Sequence, residues 1–284
     1  MRPLRALERK GVEITVVNCS PEGFLNPQNI ERAIKPNTKL ITLNHASNVV
    51  GTVLPIAEVG QIARRHEIPF LVDAAQTAGC YHIDVKAMNI DLLAFSGHKG
   101  LYGPQGVGGL YLGKGMEHKV EPLTYGGTGS YSEYEYQPDF LPDKYESGTP
   151  NTVGLAGLCS GVNFVLSQGV DGMRRKEEAL AELLINGLKT VPGVIIYGKG
   201  DSQTQVAVLS FNIAGLIPSE VAMQLEEGFQ ILCRPGLHCA PIAHKTIGTF
   251  PRGTVRLSPG YFNSDEDIEI SIEAVRKIAA GKRR

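Results

Sequence analysis

Phe70-Leu71-Val72-Asp73-Ala74-Ala75-Gln76 and Asp91-Leu92-Leu93-Ala94-Phe95-Ser96-Gly97-His98-Lys99 follow one plan: a short apolar run that stops at polar residues. Runs of four or five such residues, bounded by turn formers, read as buried strands. Working outward, Lys39–Leu43 and Gly108–Leu112 have the same character, and Val12–Val17 is a β-branched run. Pro27–Ile34 has helical spacing, and Ile56–His66 alternates apolar and charged residues as an amphipathic helix does. Strands spaced by helices of about ten residues predict an α/β fold with a mostly parallel sheet covered on both faces. In such sheets the chemistry sits beyond the carboxyl ends of the strands. Asn44–Asn48, Asp73–Gln76 and Ser96–Lys99 each follow a strand, so three polar clusters should meet on one rim.

Beyond this sheet, residues 125–151 are rich in Gly, Tyr and acidic side chains and read as a long loop. Helices are expected over Val153–Leu166 and Asp171–Thr190, and Pro192-Gly193 ends the second. Gln205–Ile213, Ile231–Arg234 and Thr254–Leu257 read as strands, and Ser219–Phe229 as a helix. Ser264 and Asp267 have the spacing of a capping box that opens a last helix to Ala280. The expected division is a large domain over 1–168 and a smaller α+β domain over 169–284.

Composition narrows the function classes. The 284 residues carry 28 basic and 29 acidic side chains, a net charge of −1 that exerts no long-range pull on nucleic acid or on an anionic membrane. No run approaches the roughly 18 apolar residues of a membrane span. Met1–Lys10 reads as a turn or two of amphipathic helix, without a signal-peptide core. Cys19, Cys80, Cys159, Cys233 and Cys239 are an odd, scattered set. Read as reduced thiols, they place the chain in a cytoplasm.

Lys99 at a strand end is costly unless used. Burial lowers a lysine's pKa, and the neutral amine can form a Schiff base with an aldehyde. Pyridoxal 5'-phosphate is the aldehyde cofactor that exploits such a lysine, and it needs a carboxylate to keep its ring nitrogen protonated. Asp73 could supply that carboxylate; Ser96 and His98 suit the phosphate, and Gln76 and Asn48 the phenolic oxygen. Taken singly, Lys99 also reads as a solvated loop lysine and Asp73 as a helix cap. A second cluster is Arg234-Pro235-Gly236-Leu237-His238-Cys239-Ala240-Pro241. Its thiol, with His238 and Arg234 near it, is placed for thiolate formation. The alternatives are a structural cysteine or a metal site with His244, whose spacing fits no strong zinc pattern. In Thr254-Val255-Arg256-Leu257-Ser258 the guanidinium suits bidentate capture of a carboxylate, although an arginine on an edge strand is commonly just exposed. Tyr125-Gly126-Gly127-Thr128-Gly129 neither follows a clear strand nor opens a helix, so it fails as a nucleotide fingerprint. Lys282-Arg283-Arg284 reads as a solvated tail.

Asn44-His45-Ala46-Ser47-Asn48, Asp73-Ala74-Ala75-Gln76, Ser96-Gly97-His98-Lys99, Tyr102-Gly103-Pro104 and Glu146-Ser147-Gly148-Thr149-Pro150-Asn151 together resemble the class V aminotransferase and cysteine desulfurase family. The resemblance implies the fold of type-I pyridoxal phosphate enzymes. It implies Lys99 as the cofactor lysine, Asp73 on the pyridinium, Gln76 and Asn48 near the phenolic oxygen, and Ser96 and His98 on the phosphate. It also implies a homodimer in which Thr149 and Gly127 reach the partner's phosphate. The Arg-x-Gly-x-His-Cys loop implies Cys239 as the persulfide-forming nucleophile, the other four cysteines being packing residues. Arg256 becomes the substrate anchor, with Arg234 as helper, and no metal is implied.

Two departures stand out. Relatives carry, before the segment matching Met1–Val17, a helix and strand with a phosphate-binding loop and a ring-stacking histidine, so the large domain is expected to be incomplete at its N-terminus. Gly100 also lengthens the gap between lysine and tyrosine. The expected activity is removal of sulfur from L-cysteine to give alanine and a Cys239 persulfide, passed to an acceptor in iron–sulfur or thio-cofactor assembly. Selenocysteine elimination, transamination, or a non-catalytic fragment are the alternatives.

Overall fold

Two four-stranded sheets organise the chain, of which this computed structural model describes residues 1–281; the basic tail 282–284 lies outside the described residues. The first half runs α1 (Arg2–Glu8), α2 (Pro27–Ala33), β1 (Ile41–Asn44), α3 (Ile56–Arg65), β2 (Phe70–Asp73), β3 (Leu92–Ser96) and β4 (Gly108–Leu112). The sheet order is β1-β2-β3-β4. The first three strands are parallel and β4 returns antiparallel to β3, with Ser96 opposite Gly108. Ile56, Val59 and Ala63 on the buried face of α3 pack with Ile30, Ile41, Phe70, Val72 and Ile90 into one core. Val12–Val17 forms no strand: the segment has no neighbouring strand to supply ladder hydrogen bonds, and only Val17 packs against this core.

Register fixes the rim. Asn44 lies opposite Asp73, and Asp73 opposite Ala94, two residues before Ser96. The turns that follow β2 and β3 then interlock backbone on backbone. A Cβ on Gly79 (φ +92°) would sit 2.1 Å from the Gly100 carbonyl oxygen, and one on Gly100 would sit 2.6 Å from that of Ala78. Gly100, the departure noted above, is thus required by this close approach.

The second half contains α4 (Thr152–Gln168), α5 (Val170–Lys189), β5 (Val194–Tyr197), β6 (Leu209–Ile213), α6 (Pro218–Phe229), β7 (Arg234–Gly236), α7 (Pro241–Thr246), β8 (Thr254–Leu257) and α8 (Asp265–Gly281). Its sheet is antiparallel, in the order β5-β6-β8-β7. Leu184, Leu188, Phe211, Leu225, Val255 and Val275 form the core under it. The capping box is present in both directions: Asp267 N–H donates to Ser264 Oγ at 3.2 Å, and Ser264 N–H to the Asp267 carboxylate at 2.9 Å.

Several sequence expectations shift here. β5 has no counterpart among the predicted strands, although Val-Ile-Ile-Tyr after a Pro-Gly break carries the signal. β7 begins at Arg234 rather than ending there, and β6 begins only at Leu209. Gln205–Val208 instead pairs with the loop after β1: Val206 N–H donates to Gly51 C=O at 2.9 Å and Val53 N–H to Thr204 C=O at 3.0 Å. β8 is an interior strand, so Arg256 is not on an edge. Cys80 is buried, its thiol pushed up to about 12, and Cys19 and Cys233 pack against the two cores. Cys159, by contrast, is exposed on α4 and does not pack. Among the described residues no single helix is long and apolar enough to cross a membrane; α4 and α5 pass the test by length and composition only as a pair bent by 81°.

Glu177 of α5 is buried, and desolvation raises its carboxyl to about 7 despite the opposing pull of Arg174. The native state therefore holds a proton there that the unfolded state releases near 4.5. This group's contribution to stability must fall as pH rises from about 4.5 to 7, by at most about 3 kcal/mol. Denaturant midpoints measured across that range should lose this slope in Glu177→Gln.

Candidate active site

Lys99 sits in the turn after β3, where its carbonyl accepts from Tyr102 N–H at 2.9 Å. The side chain is exposed, yet its pKa is lowered, first by desolvation. Asp73 opposes this, and the cationic Arg256 and Arg234 add to it. The strand-end carboxylate and both arginines thus act electrostatically on one amine. Asp73 Oδ1 accepts from Ala75 N–H at 2.9 Å, which holds a turn; no helix follows, so Asp73 is not the helix cap of its alternative reading. Gln76 and Ser96 are half-buried on the same rim and His98 is exposed beside Lys99.

The second sheet contributes the opposite wall. Arg234 and Arg256 lie directly across from each other in the β7–β8 ladder. Like charges in that position repel unless an anion lies between them. Arg234 Nη2 donates to Cys239 Sγ at 3.0 Å. Arg256 Nη1 donates to the Asn48 carbonyl at 2.8 Å, and Asn48 Nδ2 donates to the His238 carbonyl at 2.7 Å. Asn48 thus joins the rim to the cysteine loop. The Nε atom of Arg256 is buried with no hydrogen-bond partner, and desolvation, with Arg234 beside it, lowers this guanidinium's pKa. A polar donor left in this condition is the mark of a site built to receive an acceptor.

His238 departs from the sequence reading. Its ring is buried and turned away from the thiol toward Thr254, and desolvation, with Arg256 next, lowers its pKa to about 3. It therefore stays neutral and lends the thiol no charge; the positive neighbour of Cys239 is Arg234. Gly127 and Thr149 come close together, since Gly148 N–H donates to the Gly127 carbonyl at 2.8 Å. Both are exposed in the long loop, and among the described residues no hydrogen bond ties either to the Lys99 turn. Nor is any group of three or more His, Cys, Asp or Glu placed to hold a metal among those residues.

The donor set fits pyridoxal 5'-phosphate: an amine with a lowered pKa, a carboxylate on the next strand, and hydroxyl and imidazole donors at Ser96 and His98. A separate cavity of about 400 Å³, lined by Arg64, Ile68, Asp91 and Lys119 among others, lies by the amino ends of β2 and β3, and Lys99 is not among its walls. Thr254 and Ser210, which hold His238, were missed by sequence reasoning. Short hydroxyl residues inside apolar strands are the only local sign of them.

The profile of aminotransferase class-V matches residues 1–270. A probable cysteine desulfurase of Methanothermobacter thermautotrophicus is 36% identical over 98% of this chain and 70% of its own length. One from Pyrococcus abyssi is 34% identical over 98% of this chain and 69% of its own length. The apo structure of a cysteine desulfurase from Thermococcus onnurineus superposes with a TM-score of 0.92 at 34% identity, covering 99% of this chain and 70% of that one. The chain belongs to the class-V aminotransferase family, whose members are pyridoxal phosphate enzymes.

Proposed function

We propose that this chain acts as a cysteine desulfurase, with pyridoxal 5'-phosphate bound at Lys99 and Asp73. The observation that carries the reading is the cross-strand pair Arg234 and Arg256, of which Arg234 holds an exposed thiol and both act on a lysine of lowered pKa. The carboxylate of L-cysteine fits between the guanidiniums and relieves their repulsion. Bound cofactor supplies electron withdrawal from the substrate's α-carbon. The Lys99 amine, neutral more readily than an exposed lysine, takes the α-proton and returns it. Asp73 would hold the proton on the ring nitrogen, Ser96 and His98 would bind the phosphate, and Gln76 and Asn48 would serve the phenolic oxygen. Cys239 Sγ forms a bond to the substrate sulfur as the carbon–sulfur bond breaks. That electron pair stays on carbon, which is protonated to give alanine, and the sulfur remains on Cys239 as a persulfide.

The wider reading is a homodimer, with Thr149 and Gly127 serving the partner's phosphate, divided into domains at 168/169. It passes sulfur to an acceptor for iron–sulfur or thio-cofactor assembly in the cytoplasm. Incubation with pyridoxal phosphate, L-cysteine and a thiol reductant should release alanine and sulfide in equal amounts. Pyruvate or ammonia in place of alanine would sink the assignment.

A further inference from the structure

His238 and Cys239 are consecutive non-glycine residues in left-handed backbone, at φ 48° and 61°. Side chains rarely adopt that conformation, and a pair in sequence needs surroundings that hold it. The hold is visible below the loop. His238 Nε2 lies 2.9 Å from Thr254 Oγ1, Thr254 Oγ1 donates to Ser210 Oγ at 3.0 Å, and Ser210 Oγ donates to the Val49 carbonyl at 2.6 Å. A carbonyl can only accept, so each proton has one direction and Nε2 of His238 must carry a hydrogen. The chain is also closed. It starts at the backbone of Val49 and ends on the ring of His238, whose carbonyl accepts from Asn48, the residue before Val49. Arg256 grips the carbonyl of that same Asn48. Ser210, Thr254 and His238 are all buried, which strengthens each bond and penalises any break.

We propose that His238 is a positioning residue: through the Thr254–Ser210–Val49 chain it locks the Cys239 loop in its left-handed turn, and so sets the sulfur against Arg234, which lies across the ladder from Arg256. The inference rests on the reading of Cys239 as nucleophile, but its test reads sulfur placement and not turnover.

The full chain would be alkylated with iodoacetate and, separately, with neutral iodoacetamide, and Cys239 followed by peptide mapping. Exposed Cys159 serves as the internal reference. A sulfur held by Arg234, with Arg256 on the facing strand position, draws the anionic reagent, so the iodoacetate-to-iodoacetamide rate ratio at Cys239 should exceed that at Cys159. In His238→Leu and in the near-isosteric Thr254→Val the ratio should fall about threefold or more, and in the double variant no further, since both cut one chain. His238→Gln, which can place an N–H near the position of Nε2, should restore most of it. Fold would be checked by thermal melts, and Ser210→Ala stands in should either variant fail to fold. An unchanged ratio in folded Thr254→Val or Ser210→Ala, or losses that multiply in the double variant, would overturn the proposal. If the ratios behave as expected while the parent transfers no sulfur, the positioning role stands and the desulfurase reading falls.

Discussion

Lys99→Ala should abolish turnover of cysteine, by about a thousandfold or more, because it removes both the cofactor attachment and the group that moves the α-proton. Borohydride reduction of the parent protein with pyridoxal phosphate should leave a label on the peptide containing Lys99, and the variant should carry none there. Stability should not suffer. Desolvation disfavours the Lys99 ammonium, so between its lowered pKa and the ordinary 10.5 the native state binds fewer protons than the unfolded chain. Parent stability therefore rises with pH across that window, and the variant should lose that slope. A label on another lysine, or turnover that persists, would remove Lys99 from the centre of the site.

Cys239→Ala should have an effect nearly as large, about a hundredfold or more on alanine formation from cysteine. The substitution deletes the atom that accepts sulfur and leaves Arg234, Arg256 and Lys99 in place, so substrate binding, followed by the cofactor's absorption band, should persist. Selenocysteine separates the reactions the scaffold could support. Selenium leaves more readily than sulfur and needs no thiolate to receive it, so retained selenocysteine turnover in Cys239→Ala fits a site whose cysteine serves sulfur alone. Undiminished turnover of cysteine would mean that Cys239 is not the nucleophile.

Much of the site was legible because its residues sit where local patterns end. Asp73 and Ser96 mark strand termini, Lys99 follows the second, and Cys239 lies in a loop punctuated by Pro235, Gly236 and Pro241. Parallel register among β1, β2 and β3 follows from alternating strands and helices, and it carries the three polar clusters to one edge. Contacts between distant segments could not be read. The Asn48–His238 bond spans 190 residues, and the facing of Arg234 and Arg256 depends on which strands pair, which apolar periodicity does not encode. His238 shows this most clearly. Next to a thiol in sequence it reads as a charge donor, but two left-handed residues turn its ring into the core while Cys239 faces solvent. Val12–Val17 errs in the other direction, since β-branched residues favour extended backbone but cannot make a strand without a neighbour.

The loop after β1 is stitched to Gln205–Val208 on one side and to Asp73 through His45 N–H on the other. It works as a shared hinge-pin between the two sheets. A small tilt of one sheet against the other would strain the Asn48–Arg256 and Asn48–His238 bonds before it moved the Lys99 turn, which is clasped by Gly79 against Gly100. On the proposed reading, rocking of the molecule would loosen the Arg256 side chain and the Cys239 loop together and leave the Lys99 turn in place, so that carboxylate binding and thiol presentation would change as one.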